Sequence, residues 1–575
     1  MPGLLATKCI RSVHASGCSL TTLCSRRLVA TAKLGRQRIL PLQSHECELQ
    51  VRGYSALAAN YIARSDANKS TPIACITISS SRSLRAIPIS SLEVKRSQHS
   101  QAQESTANID HAPVIASYPE WIKPQDTLPR RHIGPTDEDI ATMLKQLNQP
   151  SLEAFIGQTI PDSIRSSKPF TIPSEQTPET EMLDELTKAG KANSAADVDT
   201  YIGMGYHPTI TPGVIKRNVL ENPGWYTSYT PYQPEISQGR LESLLNFQTV
   251  VTELTGLPLA NASLLDEGTA AAEAMAMAYA SSRMKHHTFL VDKNVYPQTA
   301  AVIRGRAEGL GITVVETDLT DLSILESHKD DLIGVLVQYP RKDGSILDYT
   351  NLSEAVHSYG GQLICAADLL SLTILKPPST FNADIVVGSA QRFGVPMGFG
   401  GPHAAFFACS DANKRKLPGR LVGVSKDRLN GRAFRLSLQT REQHIRREKA
   451  TSNICTSQAL LANMSAFYAI YHGPQGLIDI AKRIHQMTQL LATVLSANGW
   501  TVLNETFFDT LTLKSAIPRP SLASGAGRAM VSFSEEDDNI ITLSLNETTT
   551  IEKLEELASL LCQRNVKLVL SQLDL

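Results

Sequence analysis

Ile333-Gly334-Val335-Leu336-Val337-Gln338 is followed at a helix-length interval by Gln362-Leu363-Ile364-Cys365-Ala366, and that run in turn by Asp384-Ile385-Val386-Val387. These runs are almost continuously apolar instead of alternating with polar residues, the pattern of strands buried on both faces. Thr288 to Val291 and Ile312 to Val315 extend the series upstream, with helices opening after Gly268 and from Gln298, and Ala404 to Ala408 extends it downstream. Short β-branched strands alternating with helices predict an α/β fold with a mostly parallel sheet covered by helices on both faces.

Outward from this layer the pattern changes. Two long helices, Thr456 to Tyr471 and Gly476 to Ala497, lead away from it. From Trp500 strand and helix alternate again, and Thr549 with Glu552 reads as a capping box ahead of Leu554, Leu557 and Leu561, which predicts a small C-terminal α+β domain. Upstream, Thr136 precedes Asp139 at capping-box spacing, and Ile140, Met143, Leu144 and Leu147 follow on one helical face. Short helices and proline-rich connections continue to about residue 195, so this part reads as a leading helical segment wrapped on a larger body. The expected organisation is a leader over 1–120, the leading helical segment over 121–240, a large α/β domain over 241–475, and a linking helix with the small α+β domain over 476–575.

The leader has its own composition. Lys8, Arg11, Arg26, Arg27, Lys33, Arg36 and Arg38 sit among Ser, Thr, Ala and Leu, with no acidic residue before Glu46, as in a mitochondrial transit peptide. A basic disordered tail has similar composition. Residues 60–115 are polar and poor in aromatics, so they bury too little apolar area to offset their ordering entropy and are expected to be disordered.

At 575 residues with 42% apolar and 19% charged side chains, the chain is long enough for several cores. A formal net charge of −1 gives no electrostatic footprint for nucleic acid, and no apolar run approaches a membrane span. The nine cysteines contain no CxxC pair, so neither a zinc site nor a disulfide framework is suggested. Gly398, Gly400 and Gly401 lack the spacing of a nucleotide-binding loop.

Several ordered strings carry a resemblance. They are Arg131-His132-Ile133-Gly134-Pro135, Tyr201-Ile202-Gly203-Met204-Gly205-Tyr206, the run Tyr229 to Glu242, Ala262 to Ala271, Gln391-Arg392-Phe393-Gly394-Val395-Pro396, Gly400 to Phe407, and Thr440 to Thr456. Together they resemble the amino-terminal half of glycine decarboxylases, the P proteins of the glycine cleavage system, over about residues 126–575, with a poor match at Lys514 to Asn539. The resemblance implies the fold of type I pyridoxal-phosphate enzymes and a mitochondrial matrix location. It also implies pyridoxal-phosphate-dependent decarboxylation of glycine, with transfer of the aminomethyl group to the lipoyl arm of the H protein. In that family the cofactor lysine lies on the second half, so the expected partners are that lysine-bearing half, the H protein and glycine. The chain alone is expected to be inactive.

Such a cofactor needs an anion cradle at a helix N-terminus, a ring over its pyridine, an acid for the pyridinium and a lysine. Gly268 and Thr269, Tyr296 and Asp368 are candidates for the first three, as a relict of a duplicated ancestor. The same residues serve equally to start a helix, fill a core or cap a turn. Gln391 stands where the family resemblance places the lysine, and an amide cannot act as the nucleophilic amine. Lys376 and Lys449 are the nearest alternatives in sequence and sit in polar or charged runs. Tyr229, Tyr232, Gln233, Glu235 and Arg240, with Arg392 and His403, are candidates for the active-site wall. The proline-stiffened Tyr229 to Glu242 run is read either as that wall or as a subunit-contact loop. Two further readings stand beside the half-enzyme: a non-catalytic assembly partner, and a truncated gene model of the full-length enzyme.

Overall fold

The structure is a computed structural model describing residues 121–568, apart from several short stretches and the longer ones 172–176, 194–197, 438–449 and 516–528. All described residues lie in one unit spanning 113–575. The leader, Lys449 and most of the Thr440 to Thr456 string fall outside the described residues.

The first described helices are α1 (Asp137–Gln146), α2 (Leu152–Thr159) and α3 (Glu179–Ala192). Thr136 caps α1 as the sequence predicts: its side chain accepts from the Asp139 N–H, and the Asp139 carboxylate accepts from the Thr136 N–H. None of the three contains a fully buried residue, while Ile140 and Leu144 of α1 and Ala154 to Gly157 of α2 are half-buried.

The body starts with α4 (Gln238–Thr255) and β1 (Leu259–Ala260), then α5 (Glu267–Ser281), β2 (Thr288–Asp292), α6 (Pro297–Leu310) and β3 (Thr313–Thr317). It continues through β4 (Leu332–Tyr339), α7 (Thr350–Ser358), β5 (Gln362–Ala367), β6 (Ile385–Ser389) and β7 (Ala405–Cys409). These seven strands form one sheet in the order β1-β7-β6-β5-β4-β2-β3. The pairs among β2 to β6 are parallel, and every residue of β2 and β4 is buried, as continuous apolar runs require. β7 runs antiparallel to β6, and β1 antiparallel to β7. Among its described residues the link from Ser389 to Ala405 contains no crossover helix, which a parallel return would need.

A hairpin, β8 (Val422–Lys426) with β9 (Arg432–Leu436), leads to α8 (Ala459–Ala497). α8 is two helices meeting at Gly473, whose φ of +67° followed by Pro474 interrupts the run where the sequence places a break. Beyond it β10 (Thr501–Val502), β11 (Thr510–Lys514), β12 (Ser532–Phe533) and β13 (Ile540–Ser544) make a second sheet in the order β10-β11-β13-β12, all antiparallel. Leu511, Leu513, Ile541 and Leu543 point inward, and α9 (Ile551–Cys562) buries Leu554, Leu557, Ala558 and Leu561. Thr550, one residue later than expected, caps α9, because the Thr549 hydroxyl already accepts from the Asn546 N–H.

Cys365 and Cys409 are buried free thiols, and Cys562 is half-buried. No described helix is long and apolar enough to cross a membrane, and no group of three or more metal-ligating side chains occurs among the described residues.

Candidate active-site region and family

The carboxyl ends of β2, β5 and β6 converge with the N-terminus of α5, the edge where open α/β sheets place their ligands. Tyr296 follows β2, Asp368 follows β5, and Gln391 and Arg392 follow β6. The structure therefore brings Gly268, Thr269, Tyr296, Asp368, Gln391, Arg392 and His403 into one region, most of them already engaged by their own chain.

Gln391 is fully buried. Its amide Nε2 donates to the carbonyls of His207 at 2.7 Å and Val395 at 2.8 Å, and its Oε1 accepts from the His207 N–H at 3.0 Å. Both ends of the amide are needed, because a lysine offers donors only. Arg392 donates through Nη1 to Asp368 at 2.9 Å and to Asp509 just ahead of β11, while its guanidinium lies over the Phe508 ring at 5.5 Å. Arg392 Nη2 is left without a hydrogen-bond partner. Burial opposes the charge on Arg392, but the two carboxylates raise its pKa above the ordinary arginine value. Asp509 is held ionised despite burial by the charge and hydrogen bond of Arg392, whereas burial raises the pKa of Asp368. His207 is pushed down to about 3 by burial and by the Arg392 charge, so it is neutral at pH 7.

The α5 N-terminus is also spoken for. Asp266 caps it, accepting from the Thr269 N–H at 2.7 Å. A Cβ on Gly268 would meet Val302 of α6 at 3.1 Å, so this glycine serves α5–α6 packing. Glu267 accepts from the Thr299 hydroxyl at 3.1 Å and lines a cavity of about 80 Å³ with Tyr206, Tyr296, Ser389 and His403. Although it touches solvent at the opening, dense protein around its carboxyl raises the pKa to about 8, with Asp368 and Asp266 adding to the shift. The His403 ring lies 5.0 Å from that of Tyr206, and neither ring nitrogen has a partner. Tyr296 packs under the Tyr201 to Tyr206 run, where Gly205 takes a φ of +87° and a Cβ would stand 3.4 Å from the tyrosine ring.

These residues do not fit pyridoxal phosphate. The Asp266 carboxylate takes up an N–H of the α5 N-terminus, the Arg392 guanidinium takes Asp368, and Gln391 carries no nucleophilic amine. The remaining space of about 80 Å³ is far below the roughly 300 Å³ at which small-molecule sites begin. His207, Glu267 and Asp509 were not singled out by sequence reading. His207 directly follows the Tyr201 to Tyr206 string, and Glu267 lies inside another, but Asp509 belongs to no recognisable pattern.

The wall candidates divide in two. Tyr229, Gln233 and Glu235 project into solvent, Tyr229 being 93% exposed. Tyr232 is tucked in, its hydroxyl 3.1 Å from that of Ser457 and its ring under Arg420, and half-buried Arg240 donates to the Ser237 hydroxyl. Gln238 ties the end of this loop to β9 by a reciprocal pair of bonds with Phe434.

The Glu267 shift has a measurable consequence. A carboxyl whose folded pKa exceeds its unfolded value favours folding most below the unfolded pKa, and loses that contribution as pH rises towards about 8. Glu267→Gln is expected to flatten the decline in urea-unfolding free energy between roughly pH 5 and pH 8, measured against the parent chain. Parallel profiles for the two proteins would show that Glu267 ionises normally.

The family model described as Glycine cleavage system P-protein matches residues 130–561. The glycine dehydrogenase (decarboxylating), mitochondrial, of Solanum tuberosum is 50% identical over 441 residues, covering 76% of this chain and 42% of the relative. That of Dictyostelium discoideum is 51% identical over 435 residues, covering 74% and 43%. The chain thus spans under half the length of these curated relatives. A solved glycine decarboxylase (P-protein) of the glycine cleavage system, in inhibitor-bound form, is 34% identical with a TM-score of 0.66, covering 75% of this chain and 99% of that one. Oryza sativa TDC, solved with PLP and tryptamine, is 8% identical with a TM-score of 0.52 and shows the shared fold alone. The fold is that of type I pyridoxal-phosphate enzymes, and the chain belongs to the glycine cleavage system P-protein family.

Proposed function

We propose that this chain is the amino-terminal half of a glycine decarboxylase and that it acts in the mitochondrial matrix. In this reading the pyridoxal phosphate and its lysine sit on the other half of the enzyme. The assembled pair decarboxylates glycine and passes the aminomethyl group to the lipoyl arm of the H protein. The observation that carries the reading is the closed slot after β6: Gln391 is locked by three hydrogen bonds and Arg392 by two carboxylates. A family member so closed contributes binding surface, orientation and shielding from water, while the electron sink of the reaction is held elsewhere.

Within that reading, Tyr229, Gln233 and Glu235 are the groups of the exposed loop that face glycine or the lipoyl arm, and Tyr232 and Arg240 hold the loop in place. The test is reconstitution. The chain alone is expected to give no exchange of labelled bicarbonate with the glycine carboxyl carbon, and mixing with a lysine-bearing half plus H protein to restore it. Robust exchange by the chain alone would overturn the proposal. In the reconstituted enzyme Glu235→Gln is expected to lower turnover at unchanged assembly. Tyr232→Phe, which deletes one hydroxyl contact, is expected to change stability by about 1 kcal/mol. If Glu235→Gln weakens assembly and leaves turnover intact, the loop is a subunit contact.

A further inference from the structure

The cavity of about 80 Å³ beside the α5 N-terminus is lined by polar groups that the chain itself leaves unsatisfied. His403 is 5% exposed, and neither of its ring nitrogens has a hydrogen-bond partner. Glu267 engages only Oε1, through the Thr299 hydroxyl at 3.1 Å, so Oε2 accepts from no described residue. The Tyr206 and Tyr296 hydroxyls line the same space and make no hydrogen bond to described residues. Ser389 accepts from the Gln391 N–H at 3.2 Å and keeps its own proton free to donate. Polar groups in a protein interior are ordinarily paired, so their convergence on one small space calls for an occupant.

The polar set selects the chemistry of that occupant. Burial lowers the pKa of His403, so its imidazole is neutral, donating through one nitrogen and accepting through the other. An inorganic anion would face the Asp266 carboxylate, and a simple alkylammonium would leave the imidazole N–H unpaired. A zwitterion with an ammonium and a carboxylate on one carbon meets both needs. Size restricts it further: the cavity has room for two or three waters at roughly 30 Å³ each, or for one molecule of about five heavy atoms. Val302 is the one aliphatic side chain of the lining, so little favours a longer apolar substituent.

We propose that this cavity is a binding site for a small α-amino acid of the size of glycine, its ammonium on Glu267 and Asp266 and its carboxylate on His403, Tyr206 and Tyr296. None of the lining residues belongs to the Tyr229 to Glu242 loop, so this is a second amino-acid site, apart from the surface assigned above to catalysis. It does not depend on the half-enzyme reading. Glu267 keeps its proton up to about pH 8 in the free chain, through burial and the nearby Asp368 and Asp266. It must release that proton to face an ammonium, so binding is expected to strengthen between roughly pH 6.5 and pH 8. Across that range His403 stays neutral, Tyr206 and Tyr296 stay protonated, and Asp368 is held by Arg392.

The test is titration calorimetry of the full chain with glycine, which is expected to show one site per chain. Leucine is expected not to bind, and methylammonium and acetate, each carrying one of the two charged groups, to bind at least tenfold more weakly than glycine. Glu267→Gln keeps the acceptor for Thr299 and is expected to weaken glycine binding at least tenfold and to abolish its rise with pH. Tyr206→Phe, which removes a hydroxyl that holds nothing else in the chain, is expected to weaken it severalfold, and decides alone should Glu267→Gln fail to fold. Absence of glycine binding at millimolar concentration, equal binding by the parent and both variants, or leucine binding as tight as that of glycine would each overturn the proposal. Because the isolated chain is used, such a failure leaves the half-enzyme reading standing, and failure of reconstitution leaves this site standing.

Discussion

Replacing Arg392 by methionine is expected to destabilise the body by about 3–5 kcal/mol at pH 8, because it strands Asp368 and Asp509 as neighbouring buried carboxylates. The side chains of Arg392 and Asp509 are each only 6% exposed, so water cannot replace the lost partner. The effect should shrink on acidification. Without the guanidinium both carboxyls bind protons more tightly in the folded than in the unfolded chain, so the variant gains stability relative to the parent as pH falls. Urea unfolding of parent and variant at pH 8 and pH 5.5 checks both the size and the sign. A loss under 1 kcal/mol at pH 8 would mean that the Asp368–Arg392–Asp509 bridge does not hold the two sheets together.

The second expectation concerns Gln391→Lys. Installing the missing amine should not install cofactor binding. The new ammonium would still find the carbonyls of His207 and Val395 that Gln391 now engages, and would lie beside the Arg392 cation. Asp368 would still be taken by Arg392, and a cradle N–H by Asp266. Loss of the acceptor for the buried His207 N–H, with a longer, charged side chain in a filled space, is expected to cost about 1–3 kcal/mol. Pyridoxal phosphate followed by borohydride should label no single lysine peptide stoichiometrically in either protein. Stoichiometric labelling at position 391 of the variant would show that the lysine alone was missing and that the slot is open.

Both results bear on how completely the region after β6 is filled by the chain's own side chains. Three engagements close it: Asp266 accepts from the Thr269 N–H, the Arg392 guanidinium holds Asp368, and the Gln391 amide holds the carbonyls of His207 and Val395. Each keeps a buried polar group satisfied.

Much of the architecture was legible from residue order because its causes are local. Continuous apolar runs mark strands covered on both faces, so β2, β4, β5 and β6 fall close to where the sequence places them. Thr136 and Asp139 cap α1 through contacts three residues apart, and Gly473-Pro474 breaks α8 through its own backbone geometry. Tertiary structure decided the rest. The partner of Gln391 is 184 residues away and that of Arg392 is 117 away, in segments whose local pattern carries no mark of the pairing. Thr549 and Thr550 are equally able caps, and only the bond from Asn546 separates them. The leading helices show the same division: their amphipathic faces are written in the sequence, but burial depends on what the chain packs against. Periodicity says that a side chain needs cover, and only the assembled contacts say whether this chain supplies it.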